Sequence, residues 1–423
     1  MSAERSDRME FTRAREIVLG SCEPVDSEQV QLLDALWRTL AEEIVSHDDV
    51  PAADNSAMDG FAVMCADTAE ASDENPVPLQ IVGEVAAGSS PGVTVGPCEA
   101  VRIMTGGVMP GGADAVVVLE QVQERDGDVL VFSAARPGQN IRRIGEDIKK
   151  EEIVYKRGEF VGPAELGVLA SLGYAQVSVS RRPVAAILTT GNELIEVSEE
   201  LSPGRVRSSN TYTLFGQIRE AGGEARILGN AADAEVDLER MMMEGVEADL
   251  LITSGGISAG KYDLVPKVVA GIGEVLFHGV AMKPGNPMSF GRIGGTLWFG
   301  LPGNPVASMV CFEEFVRPAI LKMIGRRSVH RPEVKIRCGT DIKQSPGRAH
   351  FMRAVVQMEN GEPFAYPARE QGSGILTSVS LADGLLVVEP GEGVIPRGTE
   401  LTMRVIREDR YLRRVGRSKD LGN

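Results

Sequence analysis

The sequence predicts a multidomain protein of the α/β plus β class, with a central α/β domain on a parallel sheet flanked by β-rich pieces. Three observations carry this. Between residues 181 and 327, three apolar strand-like runs each end in a glycine- or proline-rich loop followed by a helical pattern. From about 76 to 145, short strand-like runs alternate with turn signals. From about 330 to 410, short strands return. A chain of 423 residues has room for roughly three domains of about 100–200 residues each. Its 43% hydrophobic content suffices for ordinary buried cores.

The first segment predicts a helix over Ser27 to Leu40. Val30, Leu33, Leu36, Trp37 and Leu40 fall on one stripe, and Asp26 and Gln29 have the spacing of a capping box. The chain turns polar at His47-Asp48-Asp49, and residues 54–64 form a turn leading into a short strand. Strands follow at Leu79 to Val85, Ala100 to Met104, Ala115 to Leu119 and Val129 to Phe132, with Asp126-Gly127 as a hairpin turn. Residues 146–180 hold a strand and a helix starting near Pro163, a residue suited to the first helical position. This piece is expected to pack back on the N-terminus. Residues 1–55 and 146–180 then form one split domain, with 56–145 as a β-rich insertion.

Residues 181–327 form the α/β domain. Its three strand–loop units are Ala185 to Glu193, Leu251 to Asp263 and Leu297 to Pro305, the last leading into a helix over 306–323. Strands alternating with helices imply a parallel sheet, and ligands bind such sheets outside the carboxyl ends of the strands. A C-terminal β-barrel over 328–412 follows, with strands at Val334 to Cys338, Leu385 to Val388 and Leu401 to Ile406. The tail 413–423 is charged and expected to be mobile. Methionines 241–243 suit a helix face.

Composition narrows the function. No apolar run approaches the roughly 20 residues of a membrane span, and Met1 to Glu10 lacks a signal-peptide core. Cys22, Cys65, Cys98, Cys311 and Cys338 are odd in number and widely spaced, which points to reduced thiols in a cytoplasmic protein. Only four histidines are present, with no close pairing, so a histidine-rich metal centre is disfavoured. A formal charge of −16 argues against a nucleic-acid partner. An anionic ligand would then need locally placed cations, for which Arg142-Arg143, Lys261 and Lys283 are candidates.

The run Thr253-Ser254-Gly255-Gly256-Ile257-Ser258-Ala259-Gly260-Lys261-Tyr262-Asp263 is the strongest candidate site. Glycines let the backbone approach a ligand, and free N–H groups in such a loop bind oxyanions. A tight strand-to-helix turn would look similar. The convergence of three such loops favours a site for a phosphorylated small molecule. Asp59, Asp147, Glu193, Asp233 and Asp263 sit beside glycine or amide in loop-like contexts. Carboxylates next to phosphate ligands commonly hold Mg²⁺. Glu193 and Asp263 follow binding-type loops, whereas Asp59 and Asp147 lie outside the α/β domain and reach it only across a domain or subunit boundary. Lys283 lies between prolines in a stiff loop and can act as a point charge for an oxyanion. Arg348, Arg353 and Ser373 are weaker oxyanion candidates.

These residues carry a family resemblance. Asp54 to Gly60, Arg102 to Gly107, Arg143 to Asp147, Thr190-Gly191-Asn192-Glu193-Leu194, Thr253 to Gly260, Lys283-Pro284-Gly285 and Gly300 to Pro305 occur in the order found in the molybdopterin molybdotransferases. This is the MoeA family, which includes the E domain of gephyrin. The resemblance implies four domains and an elongated homodimer whose site joins one subunit's α/β domain to domains of the other. It implies insertion of molybdate into adenylylated molybdopterin with release of AMP, assisted by Mg²⁺. Asp59, Asp147, Glu193, Asp233, Asp263 and Lys283 carry over as catalytic residues, with Asp233 and Asp263 as metal ligands. Thr105, Arg142, Ser254, Gly255, Gly256, Ser258, Gly260, Lys261, Pro302, Gly303, Asn304, Arg353 and Ser373 carry over as substrate contacts. Three positions depart from the family pattern: Asn286 replaces a second lysine, Ala234 the second member of an Asp-Asp pair, and Asn192 an aspartate.

Two other functions resemble this one. An adenylyltransferase that activates molybdopterin has the same α/β domain, but would not need the flanking segments that carry Asp59 and Asp147. A receptor-binding scaffold of the gephyrin type would not need the full acidic set. Further implied partners are the preceding adenylyltransferase and the apo-molybdoenzymes that receive the product, with neither nucleic acid nor membrane among them.

Overall fold

The computed structural model describes residues 8–257, 264–368 and 370–416. Its first helix, Phe11–Gly20, is capped by the Glu10 carboxylate, which accepts the N–H groups of Thr12 and Arg13, both at 2.8 Å. Phe11, Ala14 and Val18 bury against the α/β unit, with Phe11 packed on Phe315 and Phe351. Residues 9–22 therefore pack apart from the segments expected to share the split unit.

The helix expected over Ser27 to Leu40 is not formed. Ser27–Gln31 is a strand paired antiparallel with Gln176–Ser180, and Leu32–Ala35 is a single 3₁₀ turn. Leu33 and Trp37 are 78% and 57% exposed, so the apolar stripe has no common buried face. A partner strand from far along the chain overrides the local helical spacing. Ile44–Val45 pairs with Ile153–Tyr155 in the same way, and the helix Pro163–Ser171 closes a small core around Leu40, Ile44, Leu169, Val177 and Val179.

Residues between these pieces build a six-stranded sheet. Its spatial order is Ala115–Val118, Gly60–Val63, Glu99–Ile103, Val77–Val85, Asp128–Val131, Val122–Arg125. The expected Asp126-Gly127 turn closes its last hairpin, both residues at positive φ (53° and 93°).

The α/β sheet is mixed. Its order is Glu224–Ala231, Val184–Thr190, Leu250–Ser254, Thr296–Leu301, Ser289–Ile293, Glu274–His278. The first four strands are parallel and the last two antiparallel. Helices cover both faces: Ser209–Glu220 and Pro305–Cys311 on one, Glu235–Gly245 and Val265–Ile272 on the other. Met241 and Met242 are buried there while Met243 is exposed. The helix expected over 306–323 has a π-helical stretch, Phe312–Val316, between two α-helical pieces.

A five-stranded barrel follows. Ala349–Glu359, Glu362–Pro367, Glu333–Cys338, Glu400–Val405 and Gly384–Val388 pair in that order, and the last pairs back with the first. Phe351, Val379 and Leu385 join it to a core continuous with that of the α/β unit. Ion pairs from the π-helical stretch, Glu314 with Arg404 and Glu313 with Arg331, bridge outward from the same junction. The tail expected to be mobile from 413 is helical over Glu408–Gly416, anchored by Arg414 on buried Asp383 at 2.7 Å. Residues 417–423 lie outside the described residues.

Candidate active site

From the strand Val184–Thr190 the chain steps outward to Glu224–Ala231, then returns to the other side at Leu250–Ser254. Strand order reverses between the first and the third, and a doubly wound sheet leaves a crevice outside the carboxyl ends at such a point. A cavity of about 520 Å³ opens there. Its walls are the three loops expected from the sequence: Thr190 to Glu193, Ser254 to Ile257, and Pro302 to Asn304. Ser208, Ser209 and Asn210, at the start of the helix Ser209–Glu220, form a fourth wall.

Backbone geometry sets the depth of this crevice. Gly255 has φ +102°, and a Cβ there would lie 2.4 Å from the Thr190 carbonyl oxygen, so only glycine lets the first two loops approach. Asp233 ties the first loop to the neighbouring strand end. One carboxylate oxygen accepts the Thr190 hydroxyl at 3.0 Å and the other the Asn192 N–H at 3.3 Å, while Asn192 Oδ1 accepts the Asp233 N–H. Asp233 and Glu193 both line the cavity, and so does one cation among the described residues, Arg207. Ser254 is buried, and its hydroxyl is engaged with Asn210 and the Pro302 carbonyl. Both bonds spend its hydroxyl on shaping the loop.

A second group of expected residues gathers elsewhere. Asp59 accepts both the N–H and the hydroxyl of Thr105, at 2.6 and 2.7 Å, and these bonds hold its carboxyl below the usual range. The pairing of Ile141–Arg142 with Asn55–Ser56 brings the loop with Arg142 and Asp147 beside the same turn. The arginine pair divides: Arg143 is held by Asp54 at 2.6 Å, and Arg142 is exposed. Asp147 is exposed as well, its N–H bonded to the Val50 carbonyl. None of Asp59, Thr105, Arg142 and Asp147 lines the cavity of their own chain.

Lys283 is exposed on the strand Met282–Lys283, paired in register with His350. From its loop only Pro287 reaches the cavity. Asn286, which stands where the family pattern has a second lysine, has its side-chain oxygen buried without a donor. His350 is buried, and burial, then the charges of Lys283 and Arg353, push its pKa down to about 4. Arg353, expected as a substrate contact, is fully buried. Its guanidinium donates to the Ser378 hydroxyl and to the carbonyls of Glu370 and Gly372, fastening that turn to the barrel. The adjacent Ser373 carbonyl accepts the Val306 N–H at 3.0 Å, so the turn abuts the third loop.

Ser258, Gly260, Lys261 and Asp263 lie outside the described residues. Among the described residues, no group of three or more His, Cys, Asp or Glu is placed to hold a metal ion. Sequence reasoning missed Ser208, Ser209, Asn210 and Arg207. The signal was present, since Ser208-Ser209-Asn210-Thr211 is a hydroxyl and amide cluster before an apolar run, as helix starts often are.

An α/β unit with converging strand-end loops, joined to a β-bearing unit and a barrel, defines a multidomain protein with a small-molecule-sized crevice at its strand ends. Family models place it further. Residues 9–173 match the MoeA N-terminal region (domain I and II), 186–322 a probable molybdopterin binding domain, and 335–405 the MoeA C-terminal region (domain IV). The molybdopterin molybdenumtransferase of Bacillus subtilis is 38% identical over 393 residues, 91% of either chain. That of Haemophilus influenzae is 35% identical over 384 residues, 90% of this chain and 94% of the relative. A molybdopterin biosynthesis MoeA protein from Pyrococcus horikoshii OT3 superimposes with a TM-score of 0.82 at 30% identity, covering 94% of this chain and all of that one. The chain belongs to the MoeA family of molybdopterin molybdenumtransferases.

Proposed function

We propose a particular course for the reaction of this enzyme, a transferase of molybdenum cofactor biosynthesis that inserts molybdenum into molybdopterin. The metal arrives as molybdate and the pterin as its adenylylated form. Water adds across the phosphoanhydride, so AMP leaves and the pterin keeps its own phosphate; the two dithiolene sulfurs replace one oxygen of molybdate, which departs as water with the two thiol protons. The observation that carries this reading is the cavity at the strand-order reversal, where three loops and two carboxylates surround a space of nucleotide size.

Glu193 and Asp233 in the cavity wall would be the carboxylates to hold Mg²⁺, which takes one or two protein carboxylates and keeps several waters. Bound there, the ion would offset charge on the phosphate oxygens as the anhydride cleaves. Asp263 is proposed as a further ligand. Lys283 and Ser373 are proposed to serve the oxyanion end, with buried Arg353 acting by shaping the turn that carries Ser373.

Asp59, Thr105, Arg142 and Asp147 are proposed to complete the site of a partner protomer in a homodimer. Exposed apolar side chains on the segment that follows the first loop support this: Val206, which lines the cavity, and Leu201, Tyr212 and Phe215 are each more than 40% exposed. Among the described residues no helix is long and apolar enough to cross a membrane, and a cytoplasmic enzyme exchanging its pterin with the preceding adenylyltransferase and with apo-molybdoenzymes fits that. The test is a single-turnover assay with adenylylated molybdopterin, following AMP release and molybdenum incorporation together. Wild type should yield both in equal amounts, and Glu193→Gln or Asp233→Asn should slow both by more than roughly tenfold. Cofactor formation without AMP release would overturn the proposed course.

A further inference from the structure

We propose that Asn210 is a positioning residue that sets the spacing of the second and third loops of the cavity. The inference deepens the reading of that cavity as the nucleotide site. Asn210 lies in the first turn of the helix Ser209–Glu220 and is 8% exposed. A primary amide carries two N–H donors in a fixed plane. Asn210 gives one to the Ser254 hydroxyl at 2.8 Å and one to the Gly303 carbonyl at 2.9 Å. Ser254, itself 2% exposed, passes its own proton on to the Pro302 carbonyl at 3.2 Å. One side chain therefore joins the loop after Leu250–Ser254 to the loop after Thr296–Leu301.

The same face of the helix repeats the device. Gln217 is seven residues on, two turns along, and therefore on the same side. Its amide donates to the Met309 carbonyl at 3.3 Å and to the Glu313 carboxylate at 3.0 Å. The two amides clamp the helix onto the unit that follows the third strand, one at the cavity and one remote from it. Leu214 and Ile218 bury beside them, so the helix is a rigid base for the bonds. Gly303 and Asn304 stay exposed in the cavity wall next to Asn210, which bonds the Gly303 carbonyl. Asn210 lines the cavity itself, but both of its N–H donors are committed to those loops, so it acts through their backbone.

The donor role and a mere packing role make opposite claims about Asn210→Leu. The substitution keeps size and neutrality and removes both donors. With the full-length protein and AMP as probe, calorimetric titration should show roughly tenfold weaker binding, the worth of two neutral hydrogen bonds. Without AMP, amide exchange should quicken in residues 254–257 and 302–304. Gln217→Leu is the control: its melting temperature should fall while AMP affinity stays at the wild-type value. In a double-mutant cycle, Ser254→Ala should cost less affinity in the Asn210→Leu background than alone. Wild-type affinity in Asn210→Leu overturns the proposal. So does lost affinity with unchanged exchange in both loops, which would make Asn210 a direct contact. Failure of wild type to bind AMP overturns the nucleotide reading, and the exchange comparison still decides the brace.

Discussion

A single buried histidine carries a pH dependence whose sign follows from its surroundings. His350 pairs in register with Lys283 and lies near Arg353, and burial and these cations push its pKa from 6.5 to about 4. Between those values the unfolded chain takes up a proton that the folded chain refuses. The stability that neutral His350 allows is therefore complete above pH 6.5 and is lost as pH falls towards 4. The slope of this one group is at most about 1.4 kcal/mol per pH unit. His350→Gln should show a shallower fall in unfolding free energy than wild type between pH ~6.5 and ~4.5, measured by urea titration. Parallel curves would mean that His350 charges freely in the fold. Lys283 was legible as a cation in a stiff loop, but its neighbour His350 was not, because only the barrel pairing brings residues 283 and 350 together. Arg353 shows the converse. An arginine near a candidate site suggests an anion, and only the fold reveals that its Nε and Nη2 donate to the Ser378 hydroxyl and to two backbone carbonyls.

At the level of elements, the crevice depends on how closely loops can pass. Gly255→Ala would force a Cβ to within 2.4 Å of the Thr190 carbonyl in a backbone conformation that alanine resists. The second loop must then move off the first. The expected outcome is a folded protein, destabilised by roughly 1–3 kcal/mol, whose AMP affinity falls more than tenfold. A crystal structure of the Gly255→Ala variant with the loop unmoved and AMP bound normally would refute that account. These loops were legible because an apolar run broken by glycine or proline has few structural meanings. The stretch from Ser27 to Leu40 was misleading for the opposite reason. Its spacing satisfies a helix, yet its partner Gln176–Ser180 is remote in sequence and no local pattern announces it. The helix Phe11–Gly20 went unnoticed because its start rests on Glu10, which is not among the favoured capping residues.

On the scale of the whole molecule, the expected acidic set is distributed over two places that one chain does not join. Glu193 and Asp233 line the cavity of the α/β unit, while Asp59 and Asp147 stand on turns at the border of the inserted sheet. If the site is shared between protomers, each homodimer has two sites, and every site takes its cavity from one chain and its Asp59 from the other. An Asp59→Asn homodimer and a Glu193→Gln homodimer should each be nearly inactive. In a dimer formed from one chain of each kind, one site collects both substitutions and the other collects neither. Each mixed dimer should then show about half of wild-type activity, although both parents lack it. Co-expression with two different affinity tags isolates the mixed species, and light scattering should give twice the 45.3 kDa of the single chain. A tandem-purified mixed dimer no more active than its parents would mean that each site draws its acids from one chain. A fully active monomer would lead to the same conclusion, since Asp59 and Asp147 would then reach the cavity only by movement of the split unit.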